Sequence, residues 1–204
     1  FVRTIHGPVL TAKDAERYSY RISGLEKGGI ITQFYQMVKA RSLADFRSAL
    51  ANAALPFHNI MYADKEGNIM YVYNGLIAER DDSFDWSKPV DGSDPDTQWG
   101  KYHNLNDLPQ LTNPDIGYLQ NCNSDPFKTT PDENPRRGRY PRYMTSHQGN
   151  TARAERSKVI LDTIEDISIA SLERAIMDTY VHRAAETLPE LFEEYERLLD
   201  SDEV

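Results

Sequence analysis

The sequence is poor in cysteine, in basic residues and in long apolar runs, and each shortage argues against a class of protein. Cys122 is the single cysteine among 204 residues, so no disulfide can form within the chain and the usual sign of an oxidising compartment is missing. No apolar run approaches the roughly 18 residues that a membrane-spanning helix needs. The 23 basic residues are outnumbered by 32 acidic ones, and a net charge of −9 does not suit a nucleic-acid partner, because phosphate binding needs a positive surface.

Apolar residues make up 39% of the chain, which is below the usual range for a globular domain. A chain of this length can still bury a single core. Surface that another polypeptide covers would explain the shortfall. We therefore expect a globular piece that packs against a partner.

The first third of the chain alternates strand and helix signals. Residues 2–10 and 18–23 read as strands, separated by a turn at Lys13 and Asp14. A Gly28-Gly29 break precedes residues 31–38, whose apolar positions fit one face of a helix. A second helix follows Ser42, which can cap it, and its apolar stripe is Leu43, Phe46, Ala49, Leu50 and Ala53.

The clearest hairpin in the sequence spans residues 59–73. Apolar and aromatic residues alternate on either side of a turn at residues 64–68, where Gly67 and Asn68 supply the permissive backbone. A long irregular stretch, residues 78–114, comes next, and we expect it to cover another part of the protein.

Two features of that stretch suggest ligands. Its acidic residues are of the kind that calcium prefers, although their spacing matches no EF-hand; they are Asp81, Asp82, Asp85, Asp91, Asp94 and Asp96. Trp86 and Trp99 could stack on a sugar ring, which gives a carbohydrate-binding module as a second class of function. Solvated carboxylates and loop tryptophans without a ligand are the plainer interpretation of both.

Residues 151–204 are predicted to be helical. Thr151 and Ser168 are expected to cap two helices, and a third carries the most regular apolar stripe of the chain, at Leu188, Leu191, Phe192, Tyr195, Leu198 and Leu199. We expect this stripe to pack on the two preceding helices.

The most informative segment is GYLQNCNSDP, residues 117–126, which reads as a buried strand. Side chains alternate along a strand, so Asn121 and Asn123 would share one face and Cys122 the other. An asparagine amide can donate to the negative oxygen that develops when an amide carbonyl is attacked. The plainer alternative is that the two amides close the strand by bonding to the backbone. Cys122 is expected to pack as a small apolar side chain rather than act as a nucleophile.

An ordered series of motifs resembles the penicillin acylase family of N-terminal nucleophile hydrolases. The motifs are TIHGP (4–8), FHNIMYADKEGNIMY (57–71), PVDGS (89–93), WG (99–100), LP (108–109), GY (117–118) and RAER (153–156). The resemblance covers most of the chain. Around residues 121–127 the sequence resembles the lactone and lipopeptide acylases more than the penicillin enzymes.

The resemblance implies an α+β fold that is part of a four-layer αββα sandwich, and hydrolysis of N-acyl amide bonds in substrates such as penicillins or acyl-homoserine lactones. It places Asn123 in the oxyanion hole and Arg153 near the nucleophile's amine, with Arg156 as a rival for that position. It also implies that Phe34 or Tyr35 touches the acyl group, although each is more simply a core aromatic. No cofactor is required; some family members bind calcium, but no ligands can be assigned here.

Family members cut their own precursor to expose a catalytic serine whose free amine is the base, whereas this chain begins at Phe1. The resemblance therefore implies that residues 1–204 are a partial catalytic domain, inactive alone. Its expected parts are residues 1–77 with strands, helices and hairpin, the covering loop 78–114, the oxyanion strand 115–126 and the helical segment 151–204. Its partners would be the upstream part of the same chain and the α chain of the precursor, in the periplasm or outside the cell. Two alternatives remain: a catalytically inactive binding subunit of the same fold, and an unrelated secreted carbohydrate-binding module.

Overall fold

The computed structural model describes residues 2–13, 15–24, 27–145 and 149–200. It combines helices with antiparallel sheets, the α+β class that the sequence predicts. The chain divides into two compact units, the first made of Phe1–Leu119 and Asp125–Gln148, and the second of Gln120–Ser124 and Gly149–Val204. The short segment Gln120–Ser124 thus groups with the C-terminal helices, although the chain on either side of it belongs to the first unit.

The first unit begins with a small antiparallel sheet of three strands, β1 (Arg3–Thr4), β2 (Gly7–Thr11) and β3 (Arg17–Ser19). The single strand predicted over residues 2–10 is split, because the backbone turns at Ile5 and His6. Gly7 allows this turn: its φ is 135°, and a Cβ there would lie 2.0 Å from the Tyr20 carbonyl oxygen. The predicted turn at Lys13 and Asp14 includes Asp14, which lies outside the described residues.

The second sheet contains the predicted hairpin, β4 (Phe57–Ala63) and β5 (Ile69–Gly75), with β6 (Gln110–Thr112) pairing on β5. The Asp64 carboxylate closes the turn by accepting the backbone N–H groups of Glu66 at 3.0 Å and Asn68 at 2.9 Å. The Asn68 amide also donates to it and holds the pKa of Asp64 below its ordinary value. The hairpin prediction is confirmed, whereas β6 was not foreseen within the stretch 78–114.

Two helices of the first unit, α1 (Ile30–Lys39) and α2 (Leu43–Leu50), match their predictions. The Ser42 hydroxyl caps α2 by accepting the Asp45 N–H at 3.1 Å. The core of this unit joins α2 to one face of the hairpin and to the loops that follow it; its buried members are Phe46, Leu50, Leu55, Ile60, Met70, Val72, Leu108 and Met144.

The second unit contains α3 (Ala152–Thr163), α4 (Ile169–Ile176) and α5 (His182–Asp200). Thr151 and Ser168 cap α3 and α4 as predicted, each accepting a backbone N–H at 3.1 Å. The expectation that the α5 stripe packs on the preceding helices is wrong for most of it, since Leu191, Phe192, Tyr195 and Leu199 are 56–59% exposed. One reason is that α3 is largely polar and offers little apolar surface to cover them. Within the described ranges, no helix is both long enough and apolar enough to cross a bilayer.

The strand predicted over residues 115–126 is absent from the structure. This part of the chain is irregular and bends at Cys122 and Asn123. Pro114 and Pro126 carry no N–H for a ladder, and the φ of Asn123 is 60°, which breaks the alternation of a strand. Asn121 and Asn123 are therefore arranged by a turn and not by a shared strand face.

Candidate active site

The bend at Gln120–Ser124 is held by its own side chains. Asn121 Oδ1 accepts the backbone N–H of Asn123 at 3.1 Å, and Asn121 Nδ2 donates to the Ser124 carbonyl at 3.2 Å. Asparagine tolerates the left-handed conformation that residue 123 adopts here. The plainer interpretation, that an amide closes the segment by bonding to the backbone, thus describes Asn121. Among the described residues, the Asn123 side chain does not bond to the backbone of the bend.

Arg153, in the first turn of α3, contacts this bend directly. Its Nη2 donates to Asn123 Oδ1 at 2.9 Å and to the Cys122 carbonyl at 3.1 Å. The Thr151 hydroxyl, which caps the same helix, also donates to the Cys122 carbonyl, at 3.0 Å. The start of α3 therefore fixes the position of the bend. Arg153 and Asn123, thirty residues apart in the sequence, are in direct contact.

The contact with Arg153 sets the orientation of the Asn123 amide. A guanidinium can only donate, so the amide atom that faces it must be the oxygen. The Nδ2 group then points away, and among the described residues it has no acceptor. Asn123 is also exposed. The arrangement leaves a positioned N–H donor, polarised by a positive charge on its oxygen, available to a ligand.

Arg156, the rival for this position, is engaged elsewhere. Its Nε and Nη2 bind the Asp178 carboxylate at 2.9 and 2.8 Å, and its guanidinium lies 4.1 Å from the ring centroid of Tyr180. The ion pair raises the pKa of Arg156 and lowers that of Asp178. Arg153 is therefore the arginine of the RAER motif that contacts Asn123.

Cys122 shows no arrangement for nucleophilic attack. Its sulfur lies 3.5 Å from the Ser157 hydroxyl, and in the described part of the chain no base contacts it.

Phe34 and Tyr35 lie on α1 in the first unit and are not core aromatics. They are 47% and 61% exposed, and with Ile31 and Val38 they form an apolar stripe on the surface of the helix. The buried side chain of α1 is polar: Gln33 is 1% exposed, and its Oε1 accepts the backbone N–H groups of Ala54 and Leu55 at 2.5 and 3.2 Å. The two aromatics are thus accessible to a ligand or to another polypeptide.

Comparison with known proteins decides the family. A model of the penicillin amidase family matches residues 1–203. The chain belongs to the penicillin amidase family. This is a family of hydrolases that act on N-acyl amide bonds.

Two curated relatives and one solved structure illustrate the similarity. Penicillin G acylase from Escherichia coli is 32% identical over 133 residues, covering 63% of this chain and 15% of that protein. Acyl-homoserine lactone acylase PvdQ from Pseudomonas syringae pv. syringae is 26% identical over 200 residues, covering 85% of this chain and 25% of that protein. The structure of thermostable penicillin G acylase from Alcaligenes faecalis superposes with a TM-score of 0.65 at 23% identity, covering 85% of this chain and 30% of that one, which shows a shared fold. The chain thus spans a quarter or less of the curated relatives it matches.

Membership of the penicillin amidase family removes the interpretation of the chain as an unrelated carbohydrate-binding module. Both tryptophans already stack with guanidinium groups and not only with solvent. Arg80 lies 4.5 Å from the centroid of Trp99 and 5.3 Å from that of Trp86, and Arg21 lies 4.7 Å from that of Trp99.

The acidic residues of the stretch 78–114 act as turn caps. Four of them accept the backbone N–H two residues further on, namely Asp81, Asp85, Asp91 and Asp94. The Ser87 hydroxyl, which donates to Asp85, contributes most to lowering the pKa of that carboxyl to about 2. Among the described residues no three acidic, histidine or cysteine side chains converge as a metal site would require, so the structure assigns no calcium ligands.

The contact of Thr151 with the Cys122 carbonyl was not expected from the sequence. Thr151 was predicted as a helix cap, and its second role follows from its place two residues before Arg153. Asn121 bonds to the backbone, as the plainer alternative predicted, but it does so across a bend and not at the end of a strand.

Proposed function

We propose that the complete protein hydrolyses N-acyl amide bonds through an acyl-enzyme, and that Asn123 donates its side-chain N–H to the oxyanion. The observation that carries this proposal is the orientation of the Asn123 amide, whose oxygen is held by Arg153 and whose nitrogen is free to donate. The nucleophile is a serine at the mature amino terminus of the catalytic chain, outside residues 1–204, and its α-amine is the base. Residues 1–204 alone are inactive on this account.

The proposed reaction needs no cofactor, because each proton released in one step is taken up in another. The serine oxygen attacks the carbonyl carbon while its proton passes to the α-amine, and the carbonyl oxygen becomes an anion that accepts the Asn123 N–H. When the C–N bond breaks, the leaving amine takes the proton. Water then attacks the acyl-serine by the same route and releases the carboxylic acid. Arg153 acts as a positioning residue, and its fixed charge also disfavours protonation of the nearby amine, which keeps the amine available as a base.

The setting of this activity is part of the proposal. Residues 1–204 supply part of a four-layer αββα sandwich, completed by the upstream part of the catalytic chain and by the α chain of a processed precursor. The protein works in the periplasm or outside the cell. Penicillins, acyl-homoserine lactones, lipopeptides and N-acyl amino acids are the candidate substrates, the first two supported by the names of the relatives.

Replacing Asn123 in the complete protein tests the proposal. Asn123→Gly removes the amide and still accommodates the φ of 60°, so the loss of the donor is separated from backbone strain. Loss of one oxyanion donor costs about 2.7–4 kcal/mol, so kcat should fall by about 10²–10³-fold. Asn113→Gly is the matched control, since Asn113 also has a positive φ (49°) but pairs with the hairpin turn, and it should keep kcat. A decrease below about tenfold for Asn123→Gly would refute the assignment, and absence of turnover in the unmodified protein on all candidate substrates would favour a binding subunit.

Phe34 and Tyr35 are proposed to contact the acyl group. Phe34→Ala and Tyr35→Ala should raise KM for some acyl chain lengths in a graded panel of N-acyl substrates, because each removes apolar contact. Phe192→Ala, which removes an equally exposed aromatic ring from α5, should leave the panel unchanged. An unchanged panel for both α1 variants would remove these residues from the substrate site.

A further inference from the structure

Arg80, just after the bridge at Ala78, has no charge partner in the described structure. Its guanidinium lies among three aromatic rings, with centroids 4.5 Å (Trp99), 5.3 Å (Trp86) and 5.9 Å (Tyr143) away. Its Nε is buried without a hydrogen-bond partner. Burial lowers the pKa of Arg80, as expected for a cation that has lost water and gained no anion.

Of the four carboxylates closest in sequence, Asp81 accepts the backbone N–H of Ser83 at 2.8 Å, and the other three pair with other bases. The pairs are Glu79 with Lys101 at 3.6 Å, Asp82 with Arg142 at 3.7 Å, and Asp85 with Lys88 at 3.2 Å. A chain with a net charge of −9 thus leaves a half-buried arginine unpaired among its described residues. Such a charge is costly to bury unless an anion eventually faces it.

Arg80 borders a cleft of about 960 Å³ in the first unit. Four basic side chains line it, namely Arg17, Arg21, Arg80 and Lys88, and no carboxylate is among its described lining residues. Ile5, Val90 and the two indoles supply apolar wall. Arg21 packs on Trp99 at 4.7 Å, so two guanidinium groups approach the same ring. The cleft combines positive charge with apolar surface.

We propose that this cleft is a carboxylate-binding site in which Arg80 is the charge partner of the bound acid. The planar guanidinium fork matches the two oxygens of a carboxylate, and a free edge of Arg80 is what such a pair requires. The apolar wall selects an acid that carries an aromatic or aliphatic body. The acid comes either from a free molecule or from an Asp or Glu side chain elsewhere in the complete polypeptide.

A structure of the complete protein, determined with and without 3-phenylpropionate, tests the proposal. We expect a carboxylate oxygen at about 3 Å from the Arg80 guanidinium. An Asp or Glu oxygen present without added acid identifies the polypeptide as the source, whereas density for 3-phenylpropionate identifies a free acid. A guanidinium that has no carboxylate neighbour in either structure overturns the proposal.

Calorimetry of the complete protein tests the free acid as the source. In that case 3-phenylpropionate binds at least tenfold more weakly to Arg80→Met than to the parent, while Lys101→Met, which removes a nearby paired charge, stays within twofold. The neutral 3-phenylpropan-1-ol and inorganic phosphate should both bind more weakly than the acid. Arg80→Lys, which keeps the charge without the fork, should fall between the parent and Arg80→Met. Binding that is equal in the parent and Arg80→Met excludes a free acid at this cleft.

Discussion

At position 123 a neutral amide is oriented by one neighbour. Asparagine has no acid-base chemistry in the physiological range, but the 2.9 Å contact from Arg153 fixes which end of its side chain is presented. The left-handed backbone at this residue points the side chain out of the bend, while Asn121 satisfies the local backbone. The proposed oxyanion donor therefore depends on the pair of residues and not on Asn123 alone.

Arg153→Ala is predicted to lower turnover more than Arg153→Lys. Both hydrogen bonds of Arg153 come from Nη2, and a lysine keeps the positive charge but ends one bond short of that atom, so kcat should recover only partly in the lysine variant. The measurement is kcat, together with the pH dependence of kcat/KM and the extent of precursor processing. Normal processing, rate and pH profile in Arg153→Ala would remove this residue from the site, and Arg174→Ala on α4 is a matched control.

Tyr71 is predicted to make the stability of the protein fall at high pH. Its ring is fully buried, its hydroxyl donates to Asn59 Oδ1 at 2.6 Å, and burial raises its pKa above the ordinary value of 10.0. The folded state therefore holds the phenol proton more tightly than the unfolded state, so this stabilisation is complete below about pH 10 and is lost as the pH rises above it. Thermal unfolding of the complete protein from pH 8 to 11 should show a smaller decrease in Tm for Tyr71→Phe than for the parent. Asn59→Ala removes the hydrogen bond but keeps the phenol, so it should retain the parent's decrease; equal slopes for the parent and Tyr71→Phe would contradict the prediction.

The sequence pointed to Asn123 and Arg153 only through the resemblance to a family. Spacing alone could not join residues thirty positions apart, nor separate Arg153 from Arg156, because that choice depends on Asp178 and Tyr180 further along the chain. The turn at Asn123 was also out of reach, since an alternating pattern does not reveal a positive φ.

At the scale of elements, the predictable features are those with local causes. The 59–73 hairpin follows from its alternating residues and its Asp64 to Asn68 turn, and the caps at Ser42, Thr151 and Ser168 follow from side chains that bond within their own first turn. The surface that packs on an apolar stripe comes from residues distant in the sequence. The stripes of α1 and α5 were recognised, but amphipathicity says which side of a helix is apolar and not what packs against it.

Gln33 anchors α1 to the chain that follows α2, and its loss is predicted to destabilise this contact. Gln33→Ala leaves the buried N–H groups of Ala54 and Leu55 without an acceptor, at a cost of about 1–3 kcal/mol for each. Hydrogen exchange of these two amides in the complete protein should accelerate. Gln36→Ala, which removes a surface acceptor for Asn52 on the same helix, serves as the control. Unchanged exchange at residues 54 and 55 would show that the Gln33 contact contributes nothing.

At the scale of the whole molecule, the chain spans only part of the length of the relatives that it matches. It covers 15–25% of the curated relatives it matches, and it exposes large apolar side chains on α1, α4 and α5. The four-layer arrangement that the resemblance implies stays a proposal, because a sequence pattern defines single elements and does not say how sheets and helices stack.

The most direct test is the structure of the complete mature protein with a boronic acid bound to its amino-terminal serine as a mimic of the tetrahedral anion. The account predicts a boronate oxygen at about 3 Å from Asn123 Nδ2, with Arg153 still bound to Asn123 Oδ1. An Asn123 amide that faces away from the boronate, or lies beyond hydrogen-bonding reach of it, would contradict the account.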